Sequence, residues 1–222
     1  MAAVQREDGD ARRSGLAPGS AVSFWLGNPV LNPAVLVFLA LVGPWQWPLT
    51  RLLVGVALVF GVGLLVARML PGEAPGGTAP PAVAADPRPA PRRLATALAR
   101  FTVLLVPEYA VLVFAVGSLG ARLHPLAAGT EGHLVPALLV AAVLGLLVVI
   151  PTGGEIPVLL AATAAGLPPA VSGVLLITLP AVSLPSMLMV GRALTWRVTG
   201  IVAACVTGAG LAAGALLTAL SG

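Results

Sequence analysis

Apolar residues run through this chain in long blocks, and polar and charged residues gather between the blocks. Six blocks are near the ~20 residues needed to cross a bilayer, and they predict membrane helices over residues 20–42, 49–70, 96–119, 134–150, 169–191 and 198–220. A seventh block, 155–166, is shorter and reads as an embedded helix. The fold class expected is therefore all-α: a polytopic integral membrane protein with about six transmembrane helices and one short membrane-embedded helix.

Two stretches break the pattern. Residues 1–14 hold Arg6, Glu7, Asp8, Asp10, Arg12 and Arg13 with no apolar run, which reads as a hydrophilic tail without a cleavable signal peptide. Residues 71–93 contain seven prolines and almost no large apolar side chain, so they read as a disordered, flexible linker.

Charge then orients the chain. Only 9% of residues are charged against 58% hydrophobic, and mean hydropathy is +1.02, which excludes a soluble domain. The net charge of +4 comes from 12 cations, all Arg, placed at the edges of apolar runs. That is how topology determinants are arranged, and no nucleic-acid partner is expected. Arg6, Arg12, Arg13, Arg68, Arg88, Arg92, Arg93 and Arg100 fall on one side, so the tail and linker are expected in the cytoplasm of a cell with this protein in its inner membrane. Arg51 and Arg122 fall in the opposite loops. Arg192 and Arg197 join the first group if 155–166 crosses the membrane and the second if it dips in and returns; charge counting favours crossing. One Cys and two His exclude a disulfide framework, zinc finger or iron–sulfur cluster, and no cofactor or metal site is expected.

The chain also repeats. At an offset of 151, GLAPGSAVSFWLGNPVLNP aligns with GLPPAVSGVLLITLPAVSL: Pro18 with Pro169, Pro29 with Pro180, Asn32 with Ser183. Each segment precedes a second helix with an Arg near its start, Arg51 in one and Arg197 in the other. The divisions expected are a remnant of a first repeat over 15–70 and a second repeat over 94–222. Paired repeats with interrupted helices place transporter sites near the bilayer midplane.

Candidate site residues are polar groups that hydrocarbon disfavours. Glu155 leads, because an acid inside an apolar stretch is costly. Around it Pro151, Gly153, Gly154 and Pro157 oppose regular helix, and Thr152 adds a hydroxyl. Its carboxylate either serves function or caps the short helix, roles that are compatible. Glu108, between Pro107 and the single Tyr, Tyr109, is either a second acid on the pathway or a structural partner for an Arg. Asn28 and Asn32 bracket Pro29 and Pro33, so that amides and freed carbonyls converge; they contact substrate or satisfy the broken backbone. Ser183, near Pro180, is a milder version. Cys205 reads as packing, and Gly200, Thr207, Gly210 and Gly214 as a helix seam. There is no GxSxG, phosphate loop or Ser–His pair, so no catalytic residue and no enzyme is expected.

Taken together, FWLGNPVLNPAVLVF, VPEYAVLVFAVG and IPTGGEIPVLLAATAAGLPPA resemble the predicted permease family that includes ArsP-type organoarsenical exporters. The resemblance covers most of residues 15–220. It implies a permease fold of two related halves, with 151–157 as the second-half motif and 28–33 as what remains of the first. Many relatives carry Cys-x-Cys where this chain has Thr152, Gly153 and Gly154, so arsenic is not implied. The helices expected ahead of Gly15 are missing, which suggests an N-terminally shortened or split form. The function expected is a permease that moves a small solute or ion, with substrate held between the two breaks and Glu155, with Glu108, carrying protons coupled to export. The competing expectation is a non-transporting subunit that assembles with a second permease half, or as a homo-oligomer, through its Gly-rich seams.

Overall fold

A computed structural model describes residues 17–70, 133–150 and 152–222, together with scattered helical positions between 91 and 114. Among the described residues the chain is all helical. The helices are α1 (Pro18–Val30), α2 (Pro33–Val42), α3 (Gln46–Met69), α4 (Leu134–Leu147), α5 (Glu155–Ala164), α6 (Pro169–Ala181), α7 (Leu184–Ala193) and α8 (Trp196–Ser221). Among the described residues three stretches are long and apolar enough to cross a bilayer: Pro18–Val42, which is α1 and α2 in near line, Gln46–Met69 and Trp196–Ser221. The pair α6 and α7 makes a fourth if it is taken as one span, bent by 47°. This is a multi-pass helical membrane protein. The expected span over 96–119 lies largely outside the described residues.

The repeat reappears in element lengths. Helices α1 and α6 both have 13 residues, and α2 and α7 both have 10. Each pair leads into a long helix, α3 of 24 residues or α8 of 26. Packing follows the same offset. A side chain at Gly19 would meet the Gly63 carbonyl at 2.5 Å, and one at Gly214 would meet the Ala170 carbonyl at 2.6 Å. Small residues therefore let α1 approach α3, and α6 approach α8, almost backbone to backbone. The two units run in opposite directions, because Gln46 at the start of α3 donates its side-chain N–H to the Leu220 carbonyl at the end of α8. The structure thus pairs Arg51 with Val202 across the repeat, and Arg197 with Gln46. Arg197 is exposed. Of the expected seam on α8, Gly210 and Gly214 pack against α6, whereas Gly200 faces open space.

Helix α4 runs parallel to α6: Ala141 and Ala142 cluster with Val171 and Val174, and Gly145 lies against Thr178. Helix α5 must then return the chain to the start of α6. With 14 and 10 residues, α4 and α5 are each too short to cross a ~30 Å core, and together they form a hairpin with both arms opening at one end. The span expected over 134–150 is therefore only the entering arm, and 155–166 is the returning arm. Charge counting had favoured a crossing because that puts Arg192 and Arg197 beside Arg68. The hairpin achieves the same grouping without one, since the antiparallel α3–α8 pair sets the end of α3 beside the start of α8.

The core is built where these elements meet. Val22, Leu26, Val30, Val59, Val62, Val66, Ile177, Val202 and Val206 form the main cluster between α1, α3, α6 and α8. A second cluster joins Val35, Leu39, Trp47, Ile156, Leu159, Leu176 and Leu217 and holds α5 in place.

Candidate functional site

Two consecutive peptide groups explain the centre of the molecule. Pro33 has no N–H, so the Pro29 carbonyl one turn earlier loses its helical donor. The next donor, Ala34 N–H, bonds instead to the Asn32 side chain at 3.0 Å, which starts α2 and leaves the Val30 carbonyl bare. Both carbonyls sit where water is scarce and an unpaired acceptor is costly. Arg51 reaches across from α3 and satisfies both: Nε donates to Val30 at 2.9 Å and Nη2 to Pro29 at 2.9 Å. Arginine suits the task because its planar fork presents several N–H groups at fixed angles.

The remaining face of the guanidinium meets Glu155. Arg51 Nη1 donates to Glu155 Oε1 at 2.5 Å, with side chains 0% and 1% exposed, the ion pair found among the described residues. Glu155 reaches this position because Gly153 adopts φ +84°, a left-handed conformation that glycine takes freely, and the turn places the acid at the first residue of α5. The helix N-terminus also favours a negative charge there. The carboxylate therefore bonds a neighbouring helix rather than capping its own. One ion pair ties the first break (α1–α2), α3 and the turn of the re-entrant hairpin.

Among the described residues three buried oxygens have no hydrogen-bond partner: Glu155 Oε2 of this pair and, on α3, Thr50 Oγ1 and Gln46 Oε1. Gln46 and Thr50 are one turn apart on α3, next to Arg51.

The other expected residues divide. Gly153 and Gly154 are buried in the turn before Glu155, and Thr152 is exposed there. Asn32 spends its side chain on the α2 cap, while Asn28 is exposed on α1. Ser183 joins Ser186 in a capping box that starts α7. Pro29 and Pro180 lie inside α1 and α6, so the breaks come after Val30 and Ala181 and not at these prolines. Pro157 falls in the first turn of α5, where a missing N–H costs no bond, so it does not interrupt the helix. Pro107 occupies a helical, exposed position; Glu108, Tyr109 and Pro151 lie outside the described residues.

Arg51 was missed as a site residue because an Arg close to the start of an apolar run is indistinguishable from a loop marker by charge counting. Its signal was present in another form: two bare carbonyls at GNPVLNP and a lone acid at TGGEIP both call for a multidentate cationic donor.

A helical membrane protein built from two oppositely directed units, with a buried ion pair at the break of one of them, is the class that fold and site define. Within it, the chain is similar to the UPF0718 protein YraQ of Escherichia coli (strain K12), 36% identical over 209 residues. That alignment covers 92% of this chain and spans 60% of the relative's length. No family model matches the chain, and no solved structure matches it.

Proposed function

We propose that the chain is a permease, or the larger part of one, that moves a small solute across the cytoplasmic membrane by a proton-coupled, secondary mechanism in the direction of export. The tail and the Pro-rich linker face the cytoplasm in this reading. The observation that carries it is the Arg51–Glu155 pair, fully buried at the level where α1–α2 and α6–α7 are interrupted. Charges at such depth default to pathways and proton relays, and inverted units with broken helices supply the scaffold for alternating access. The similarity to a UPF0718 protein and the resemblance to predicted permeases point the same way. Arsenicals are not implied, for want of thiols at Thr152–Gly154.

The coupling follows from what the pair holds together. With Glu155 ionised, Arg51 ties the first break to the hairpin turn. A proton delivered to the carboxylate removes the charge partner, and Arg51 is left on the two carbonyls of Pro29 and Val30. The turn and α5 are then free to shift against α3, which is the movement alternating access requires. The free Oε2 is the oxygen that can take the proton without first breaking a hydrogen bond.

The test is uptake of a panel of small solutes into vesicles holding the purified chain, with and without an imposed pH gradient. Gradient-dependent movement of at least one solute, abolished by a protonophore, is expected. No movement of any solute, with a stable hetero-oligomer by mass measurement, contradicts the reading and favours a non-transporting subunit.

A further inference from the structure

The two breaks are not treated alike. At the second, the carbonyls that correspond to Pro29 and Val30 are those of Pro180 and Ala181. Pro185 has no N–H to offer Ala181, and Ser183 N–H bonds to Ser186 Oγ at 2.9 Å instead of to Leu179. The residue closing α6, Val182, makes no capping bond back into the helix. Among the described residues, the Leu179, Pro180 and Ala181 carbonyls therefore have no hydrogen-bond donor.

In the first unit a guanidinium fills that role. The corresponding position in the second unit is Val202, 0% exposed and in the same apolar cluster as Ala181 and Val182. Among the described residues no side chain donates to these carbonyls. Beside these carbonyls lies a pocket of about 160 Å³, lined by Leu179–Ser183 and Ser186 together with Trp25, Pro29 and Ile150. Bare carbonyls at a helix C-terminus carry partial negative charge, and an indole beside them attracts cations through its face. Among the described residues no acid lines the pocket.

The geometry points to a binding site for a small monovalent organic cation of guanidinium or ammonium type, held by the α6 carbonyls and Trp25. The bound group takes the place that the Arg51 guanidinium takes in the first unit. A weakly hydrated, hydrogen-bonding cation fits an indole and carbonyl lining better than a strongly hydrated alkali ion. This site goes beyond the transport reading: it rests on the unequal ends of α1 and α6, not on flux.

The probe is radiolabelled guanidinium chloride at millimolar concentration in equilibrium dialysis against the detergent-purified full chain. N-methylglucamine chloride, too large for the cavity, holds ionic strength constant. Saturable binding of one guanidinium per chain is expected, displaced by methylammonium and not by Na⁺ or K⁺. Val202→Arg supplies an internal guanidinium and should weaken binding at least tenfold. Trp25→Leu keeps apolar volume, removes the indole face and should weaken it severalfold, which keeps the test decisive if the first variant fails to fold. Absence of saturable binding, displacement by Na⁺ or K⁺ in place of methylammonium, or undiminished binding in every folded variant overturns the site. A chain that binds guanidinium but moves no solute contradicts the transport reading alone, and one that moves solute but binds no guanidinium contradicts this site alone.

Discussion

Replacing Arg51 with Met keeps an unbranched apolar stem and removes every donor. Glu155 is then left as a buried acid without its partner, and the carbonyls of Pro29 and Val30 lose the donors at 2.9 Å. Breaking one side of a buried pair costs about 3–5 kcal/mol, and each orphaned carbonyl about 1–3 kcal/mol. The terms overlap, and a membrane reference state softens them, so about 3–5 kcal/mol in total is the working figure. Glu155→Gln costs less, about 1–3 kcal/mol, because Arg51 keeps both carbonyls and gains an amide oxygen as a neutral acceptor. The double variant should be more stable than the sum of the single losses predicts, with a coupling of about 1–3 kcal/mol. Thermal unfolding in one detergent measures all four proteins; for a chain of this size Arg51→Met should lower Tm by roughly 6–20 °C. Single variants that each leave Tm within about 1 °C of the parent, with no coupling between them, would refute the claim that this pair joins the first break to the hairpin.

Further outcomes follow from the packing and the turns. Gly63→Ala and Gly214→Ala, which place a Cβ against Ser23 and against the Ala170 carbonyl, should each destabilise by about 1–3 kcal/mol. Gly61→Ala and Gly208→Ala, at positions with open space, should be neutral or slightly stabilising in the same unfolding assay. Gly153→Ala forces a side chain into φ +84° and should cost about 1–2 kcal/mol; if the turn yields instead, a loss of the thermodynamic coupling between Arg51 and Glu155 will report it. Pro33→Ala returns a donor to the Pro29 carbonyl and should make Arg51→Met less damaging, which a second double-variant cycle reads.

The amino-acid pattern carried the large features of this molecule to different depths. Long apolar blocks marked α3 and α8 within a few residues, because a helix in hydrocarbon must stay apolar over its whole length. The alignment of Pro18 with Pro169 located both interrupted pairs, since a missing N–H leaves a trace in sequence that packing cannot hide. Residues 134–150 misled because an apolar run of near-spanning length looks the same whether it crosses or enters and turns back. What separates the two is the Gly153 conformation and the parallel contact of α4 with α6, neither of which is written in hydropathy. For the site, Glu155 stood out as an acid where acids are costly. Its partner did not, since Arg51 sits 104 residues away and near enough to a helix start to pass for a topology marker. The asymmetry between Pro180–Ala181 and Pro29–Val30 was likewise hidden, because it depends on which residue faces each break, and the repeat read from sequence paired Arg51 with Arg197 instead of with Val202.

The central claim is that protonation of Glu155 governs the tie between the first break and the hairpin turn. Once the solute panel identifies a substrate, gradient-driven accumulation and gradient-free exchange of that solute, measured side by side in vesicles holding the parent or Glu155→Gln, test it most directly. The account predicts that Glu155→Gln retains exchange and loses accumulation driven by the pH gradient. Gradient-driven accumulation that is undiminished in Glu155→Gln would contradict it.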